Sequence, residues 1–186
     1  MTFLIILSLP IVNSFAQTNY KLFEFYEGYI IKNDGTKERG FIQYIDETER
    51  YEKVFFRTTM KDTKQKFSAK DIKGYKLADQ IYHSVEYKGI LGKEIRFLAL
   101  ESEGCISQYF FRQLSQGALQ TQSILAKKDN AISTEIFITK YAQKMADFIS
   151  DNPALSKKVA DKEKGYGLLN LYGIVKEYNE QCVPTP

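Results

Sequence analysis

Few side chains in this sequence are equipped for chemistry. His83 is the only histidine. A nucleophilic triad or a metal site built on it would need Asp, Glu or Cys brought from far along the chain, and zinc would need carboxylates and thiolates for its other ligands. An alternating strand puts His83 on one face with Ile81, Val85 and Tyr87, which predicts a part-buried imidazole with hydrogen-bonded nitrogens. His83 is therefore kept as the one polar site candidate. Cys105 and Cys182 are the only cysteines. Export would make a disulfide between them chemically allowed; the alternative is two unrelated thiols, one in a sheet and one on a frayed tail. No C-x-x-C pair argues for redox work.

Other signatures of catalysis are missing. The sequence contains no nucleophile elbow, no phosphate-binding glycine loop and no dinucleotide fingerprint. No cofactor or metal is expected, and no catalytic residue is assigned. Carboxylates cluster at Asp46-Glu47-Thr48-Glu49 and at Glu101-Ser102-Glu103. A glycosidase needs two opposed carboxylates, but both clusters fall at predicted turns, where solvated acids are the default. Asn33-Asp34-Gly35 has the start of a calcium loop without the later ligands. Lys157, Lys158, Lys162 and Lys164 are interrupted by Asp161 and Glu163 and read as a solvated helix face. Net charge is +3, with no basic run, and no nucleic-acid partner is expected.

The elements that must position these residues change character along the chain. From about residue 22 to 138, runs of four to eight residues rich in Tyr, Phe, Ile and Val are broken by turn signals. Asp34-Gly35 between two such runs predicts a hairpin. Further strands are expected at 40–46, 54–57, 66–68, 71–77, 81–87, 94–100, 105–112, 119–126 and 132–138. The period then becomes helical: Tyr141, Met145, Phe148 and Ile149 share a face, as do Leu168, Leu171, Tyr172 and Val175. Asn152-Pro153 predicts a helix start. The expected fold is α+β: a mainly antiparallel, curled or barrel-like sheet of eight to ten short strands over 17–138. A C-terminal segment of two to three helices over 139–182 is expected to pack on it.

The first sixteen residues form their own unit. Thr2 to Val12 is mostly apolar, and Ser14 and Ala16 are the small residues a signal peptidase requires before Gln17. This predicts a cleavable signal peptide over 1–16 and an exported protein. About ten apolar residues are too few to span a bilayer, and no later stretch of the sequence is apolar enough, so no transmembrane segment is expected in the mature chain.

The spacing of several short motifs resembles a family of uncharacterised exported proteins from Bacteroidota. They are Gly28-Tyr29-Ile30, Asp34-Gly35-Thr36 and Gly40; Phe67 with Asp71-Ile72-Lys73-Gly74-Tyr75; then Phe148, Asp151, Pro153-Ala154-Leu155 and Ile174-Val175-Lys176-Glu177-Tyr178-Asn179. The resemblance implies residence in the cell envelope (periplasmic, outer-membrane-associated or secreted) and brings no catalytic residues. The expectation is a non-enzymatic module that binds another envelope protein or envelope component. Two alternatives differ in what they require. A carrier of small hydrophobic ligands needs a hollow sheet, and a hydrolase built from scattered residues needs His83 to meet a carboxylate.

Overall fold

A computed structural model describes residues 20–128 and 130–182; the predicted signal peptide over 1–16 lies outside the described residues. Ten strands form one sheet: β1 (Phe25–Ile31), β2 (Lys37–Gln43), β3 (Lys53–Arg57), β4 (Gln65–Ser68), β5 (Gly74–Leu77), β6 (Gln80–Gly89), β7 (Gly92–Ser102), β8 (Ser107–Ser115), β9 (Ala118–Lys127) and β10 (Asn130–Ser133). Helices α1 (Tyr141–Phe148), α2 (Pro153–Ala160) and α3 (Leu171–Gln181) follow. The α+β class, the curled antiparallel sheet and the helical tail are as the sequence predicts.

The strand order is β10-β9-β8-β7-β6-β5-β1-β2-β3-β4, and β10 also pairs with β6. That extra pairing, parallel at Ile132 and Lys88, closes β6 to β10 into a ring. The remaining strands, β5-β1-β2-β3-β4, extend from β6 as a wing. The wing folds back: a 3-10 turn at Glu49–Tyr51, between β2 and β3, lays Tyr51 against Tyr82 and Phe111, with ring centroids 6.0 and 6.1 Å apart. Tyr75 Oη donates to the Arg50 carbonyl at 2.7 Å, and Glu47 pairs with Arg112 at 2.8 Å. These contacts fill the place where β7 and β8, paired only between Ala99–Ser102 and Gln108–Phe110, separate.

Because the folded-back wing packs against β7, with the Tyr75 ring 5.0 Å from that of Phe97, both faces of β7 are covered. Phe97, Leu98 and Ala99 are consecutive and all buried, although successive side chains of a strand point to opposite faces. One core joins ring and wing through Ile30, Ile42, Val54, Phe56, Tyr75, Tyr82, Phe97, Tyr109 and Ile124. A second joins Ile106 and Leu125 of the sheet side to Phe137, Met145, Ile149, Leu155, Val159, Ile174 and Val175. Ile124 and Leu125 are neighbours in β9 and belong to different cores. The helices therefore pack on the sheet.

Several boundaries differ from the sequence reading for local reasons. The strand expected at 132–138 stops at Ser133, whose Oγ accepts the Glu135 N–H and turns the chain into a 3-10 segment, Thr134–Ile138. The strand expected from Asp71 starts at Gly74, because Asp71 Oδ2 accepts both the N–H and the hydroxyl of Ser68 at 2.7 Å and holds a turn. The hairpin β8–β9, paired without a break through Ser115 and Ala118, turns on Gln116 and Gly117, both at positive φ. Asn152 caps α2 through the Leu155 N–H at 3.1 Å, with Pro153 in the first turn, as predicted.

Candidate functional site

The residues singled out by sequence have mainly structural partners. His83 Nδ1 and Tyr109 Oη share a hydrogen bond of 3.0 Å inside the part-buried ring wall. Burial lowers the imidazole pKa below its ordinary value. No carboxylate hydrogen-bonds His83 among the described residues, so the pairing that the hydrolase reading requires is not formed there. Cys105 and Cys182 are joined in a disulfide, Cα to Cα 6.4 Å. It ties the turn just before β8 to the residue that follows α3. Among the described residues no three His, Cys, Asp or Glu side chains gather as a metal site.

The acidic cluster at Asp46–Glu49 is also held by structural partners, whereas Glu101 and Glu103 are simply exposed at the end of β7. Asp46 accepts the N–H and hydroxyl of Thr48 at 2.9 and 2.7 Å, and Glu49 pairs with Lys53 at 3.0 Å. Asp34 does for Thr36 what Asp46 does for Thr48, at 2.8 and 2.7 Å, and closes the predicted hairpin. Lys158 Nζ reaches Glu177 and Tyr166, both at 3.0 Å. The interior of the curled sheet is occupied by Tyr51, Tyr75, Phe97 and Ile124, all essentially inaccessible. A ligand carried inside the sheet would have to displace that core.

What the sequence does not announce is the outer face of the wing. Register assigns its side chains. Ile30, Ile42, Phe56 and Tyr75 point inward and are buried, and their cross-strand pairing puts the alternate residues outward. The outward set is Phe25, Glu27, Tyr29 and Ile31 on β1; Lys37, Arg39, Phe41 and Gln43 on β2; Lys53, Phe55 and Arg57 on β3; Lys66 and Ser68 on β4; and Lys76 on β5, with Lys53 held by Glu49 at 3.0 Å. Lys64 joins them, its Nζ 3.3 Å from Gln43 Oε1. Glu27 is the only carboxylate in that set, and none of Lys37, Arg39, Arg57, Lys64, Lys66 and Lys76 is in an ion pair among the described residues.

Aromatic rings underlie the cations. Arg57 lies 4.1 Å over Phe25, Lys64 4.5 Å over Phe55, and Lys37 5.0 Å over Tyr29. The guanidinium and ammonium groups are thus held by ring quadrupoles and neutralised by none. Gly28 and Gly40 pair directly across β1 and β2, and register turns their missing side chains inward, on the side of Ile42 and Phe56. A Cβ on Gly28 would strike the Lys76 carbonyl oxygen, and one on Gly40 the Arg57 carbonyl oxygen. Over these glycines lies an open depression of about 650 Å³ lined by Tyr29, Arg39, Phe41 and Lys76.

The sequence reading saw no concentrated charge because the cations are scattered along the chain. The available signal was their spacing of two, Lys37 with Arg39 and Lys64 with Lys66, which puts both members of each pair on one strand face. The chain matches no protein-family profile, no curated protein and no solved structure.

Proposed function

We propose that this protein is a non-enzymatic binding module of the cell envelope whose working surface is the outer face of the wing, and that its partner is an acidic polymer of the envelope. The observation that carries this reading is the one-sidedness of charge. A chain of net charge +3 presents Lys37, Arg39, Arg57, Lys64, Lys66 and Lys76 on a single sheet face against Glu27 alone. Such a face attracts a polyanion and releases its counterions on binding.

The rings decide between kinds of polyanion. Readers of single-stranded nucleic acid offer open aromatic faces on which bases stack. Here Phe25, Phe55 and Tyr29 are already covered by cations and Phe41 is the outward ring left without one among the described residues, so charge more than open ring surface faces outward. That suits carboxylates or sulfates spaced along a glycan. Envelope residence is supported by the leader-like residues 1–16, by a disulfide of the kind that persists in oxidising compartments, and by motifs resembling the exported family. No helix among the described residues is long and apolar enough to cross a membrane.

Affinity electrophoresis through gels containing polygalacturonate, with neutral dextran as reference, tests the reading. The expected result is retardation by polygalacturonate only, falling steeply as salt rises. The double substitution Arg39→Glu with Lys76→Glu is expected to weaken it by roughly tenfold or more, since each charge lies in contact with the depression. Equal retardation by dextran, or an unaffected double variant, would overturn it; preference for a single-stranded oligonucleotide over polygalacturonate would replace the glycan with nucleic acid.

A further inference from the structure

The ring ends in two hairpin tips whose composition is at odds with their exposure. The β6–β7 turn is Ile90-Leu91 between the paired Gly89 and Gly92, with Ile90 67% and Leu91 96% exposed. Two-residue turns are ordinarily Asn, Asp or Gly, so two large aliphatics at this apex are not explained by turn chemistry. At the β8–β9 tip, Leu114 and Leu119 are cross-strand partners, 70% and 50% exposed. Strand direction places the two tips at one end. β7 leads away from its tip, β8 runs antiparallel to it, and both turns therefore lie at the same end of the ring.

Charge is withdrawn from the same place. Gln113 to Ala126 contains no Asp, Glu, Lys or Arg, although 26% of the chain is charged. The tip carries Gln113, Ser115, Gln116, Gln120 and Thr121 instead, which are polar and neutral. Exposed hairpins in water are normally charged. Behind the other tip stand Lys88 and Lys93, both exposed, the second paired with Glu86 at 2.7 Å. Protruding aliphatics, a neutral polar collar and lysines set back from the apex together match the depth profile of a bilayer surface: hydrocarbon, headgroup, then anionic charge. A protein partner would more often meet a concave or flat patch with aromatic anchors.

We infer that the two tips insert side by side into the surface of a lipid bilayer, seating Ile90, Leu91, Leu114 and Leu119 below the headgroups and holding the ring end-on to the membrane. This is separate from the wing face, and salt distinguishes the two. Insertion of aliphatics survives high salt, whereas polyanion binding does not.

The test is flotation of the purified, disulfide-bonded protein with vesicles of phosphatidylethanolamine and phosphatidylglycerol at low salt and at about 0.5 M salt. The protein is expected to float in both. Ile90→Ser with Leu91→Ser, and Leu114→Ser with Leu119→Ser, are each expected to reduce the floating fraction by about tenfold or more, as loss of two partly buried aliphatics implies. All four positions are exposed, so circular dichroism and melting temperature should match the parent. Failure of the parent to float, or undiminished flotation of both variants, overturns the inference. So does flotation abolished by salt, which would assign binding to the lysines alone. A dimer that the same substitutions dissociate, with no vesicle binding, would make the tips a contact between copies.

Discussion

His83 is a titratable group in the wall of the ring, and its role is legible from its surroundings. Burial disfavours the imidazolium, so its pKa in the folded protein lies below the ordinary 6.5. In the unfolded chain it takes up a proton near that ordinary value. The folded state therefore loses stability as pH falls through about 6.5 and keeps losing it until the lower folded pKa is reached; above that range the contribution is constant. His83→Gln is expected to flatten this slope, read from urea midpoints at about pH 7.5 and about pH 5. An unchanged slope would mean that the pH dependence comes from elsewhere. Tyr109, which shares the hydrogen bond, is pushed the same way for a phenol: burial raises its pKa, so both partners stay neutral over this range.

At the scale of elements, the question is how three short helices, each too short to persist alone, are held to a sheet. The disulfide fixes one point. Asn179 fixes a second: its Oδ1 accepts the Ile106 N–H at 2.8 Å and its amide donates to the Ile106 carbonyl at 2.9 Å, so the side chain pairs with the backbone just before β8 as a neighbouring strand would. Asp151 is a third. It receives Lys127 at 2.8 Å and Tyr178 at 2.6 Å; burial opposes its ionisation, and these two hydrogen bonds outweigh burial and lower its pKa. Its contribution begins to fall as pH drops through the ordinary 3.8 and is gone once pH lies below the lowered value.

Reduction of the disulfide releases a loop of 77 residues' separation, worth roughly 4 kcal/mol by the chain-entropy relation. Because two other anchors remain, the reduced protein is expected to melt lower yet keep its helical signal below the transition. Asn179→Ala strands a buried N–H and should cost about 1–3 kcal/mol. Combined with reduction it is expected to free the tail to protease while the sheet stays resistant. Cleavage of the reduced parent at the same rate would show that Asn179 does not anchor.

How much of this was readable beforehand varies with the range of the interaction. The Asp34-Gly35 hairpin, the Asn152 cap and the stripe of Met145, Phe148 and Ile149 rest on neighbours in sequence, and the structure has them; the stripe expected through Leu168 and Tyr172 is carried instead by Leu171, Ile174, Val175 and Tyr178, with Leu168 and Tyr172 exposed. Asn179 and Asp151 gave no sign of their partners, and Cys105 and Cys182 stayed open between a disulfide and two separate thiols, because each meets its partner across the whole fold. The wing face was hidden for a different reason. Its cations lie on separate strands, and only the register, set by which faces are buried, aligns them.

At the scale of the whole molecule, two cores share walls. Phe97 and Leu98 serve opposite faces of β7, and Ile124 and Leu125 serve different cores across β9. Neither core can dissolve without exposing strands that the other needs. The oxidised protein is therefore expected to unfold in one transition, with helical circular dichroism and tyrosine fluorescence changing at the same temperature. Separated midpoints would mean that the helical layer is an independent cooperative unit.

Ring closure also bears on how the protein fares in a crowded compartment. A sheet exposes a row of unsatisfied backbone groups at each terminal strand, and such rows recruit strands from other molecules into aggregates. Bonding β10 back to β6 removes one of these two ends and leaves β4 as the terminal strand. That strand is four residues long, carries Lys66 and is preceded by Lys64, both exposed. An approaching strand would have to dock on a short ladder beside like charges repeated on its own copy. The same lysines that draw a polyanion to the wing thus keep copies of the protein from stacking edge to edge, and charge reversal there would weaken both at once.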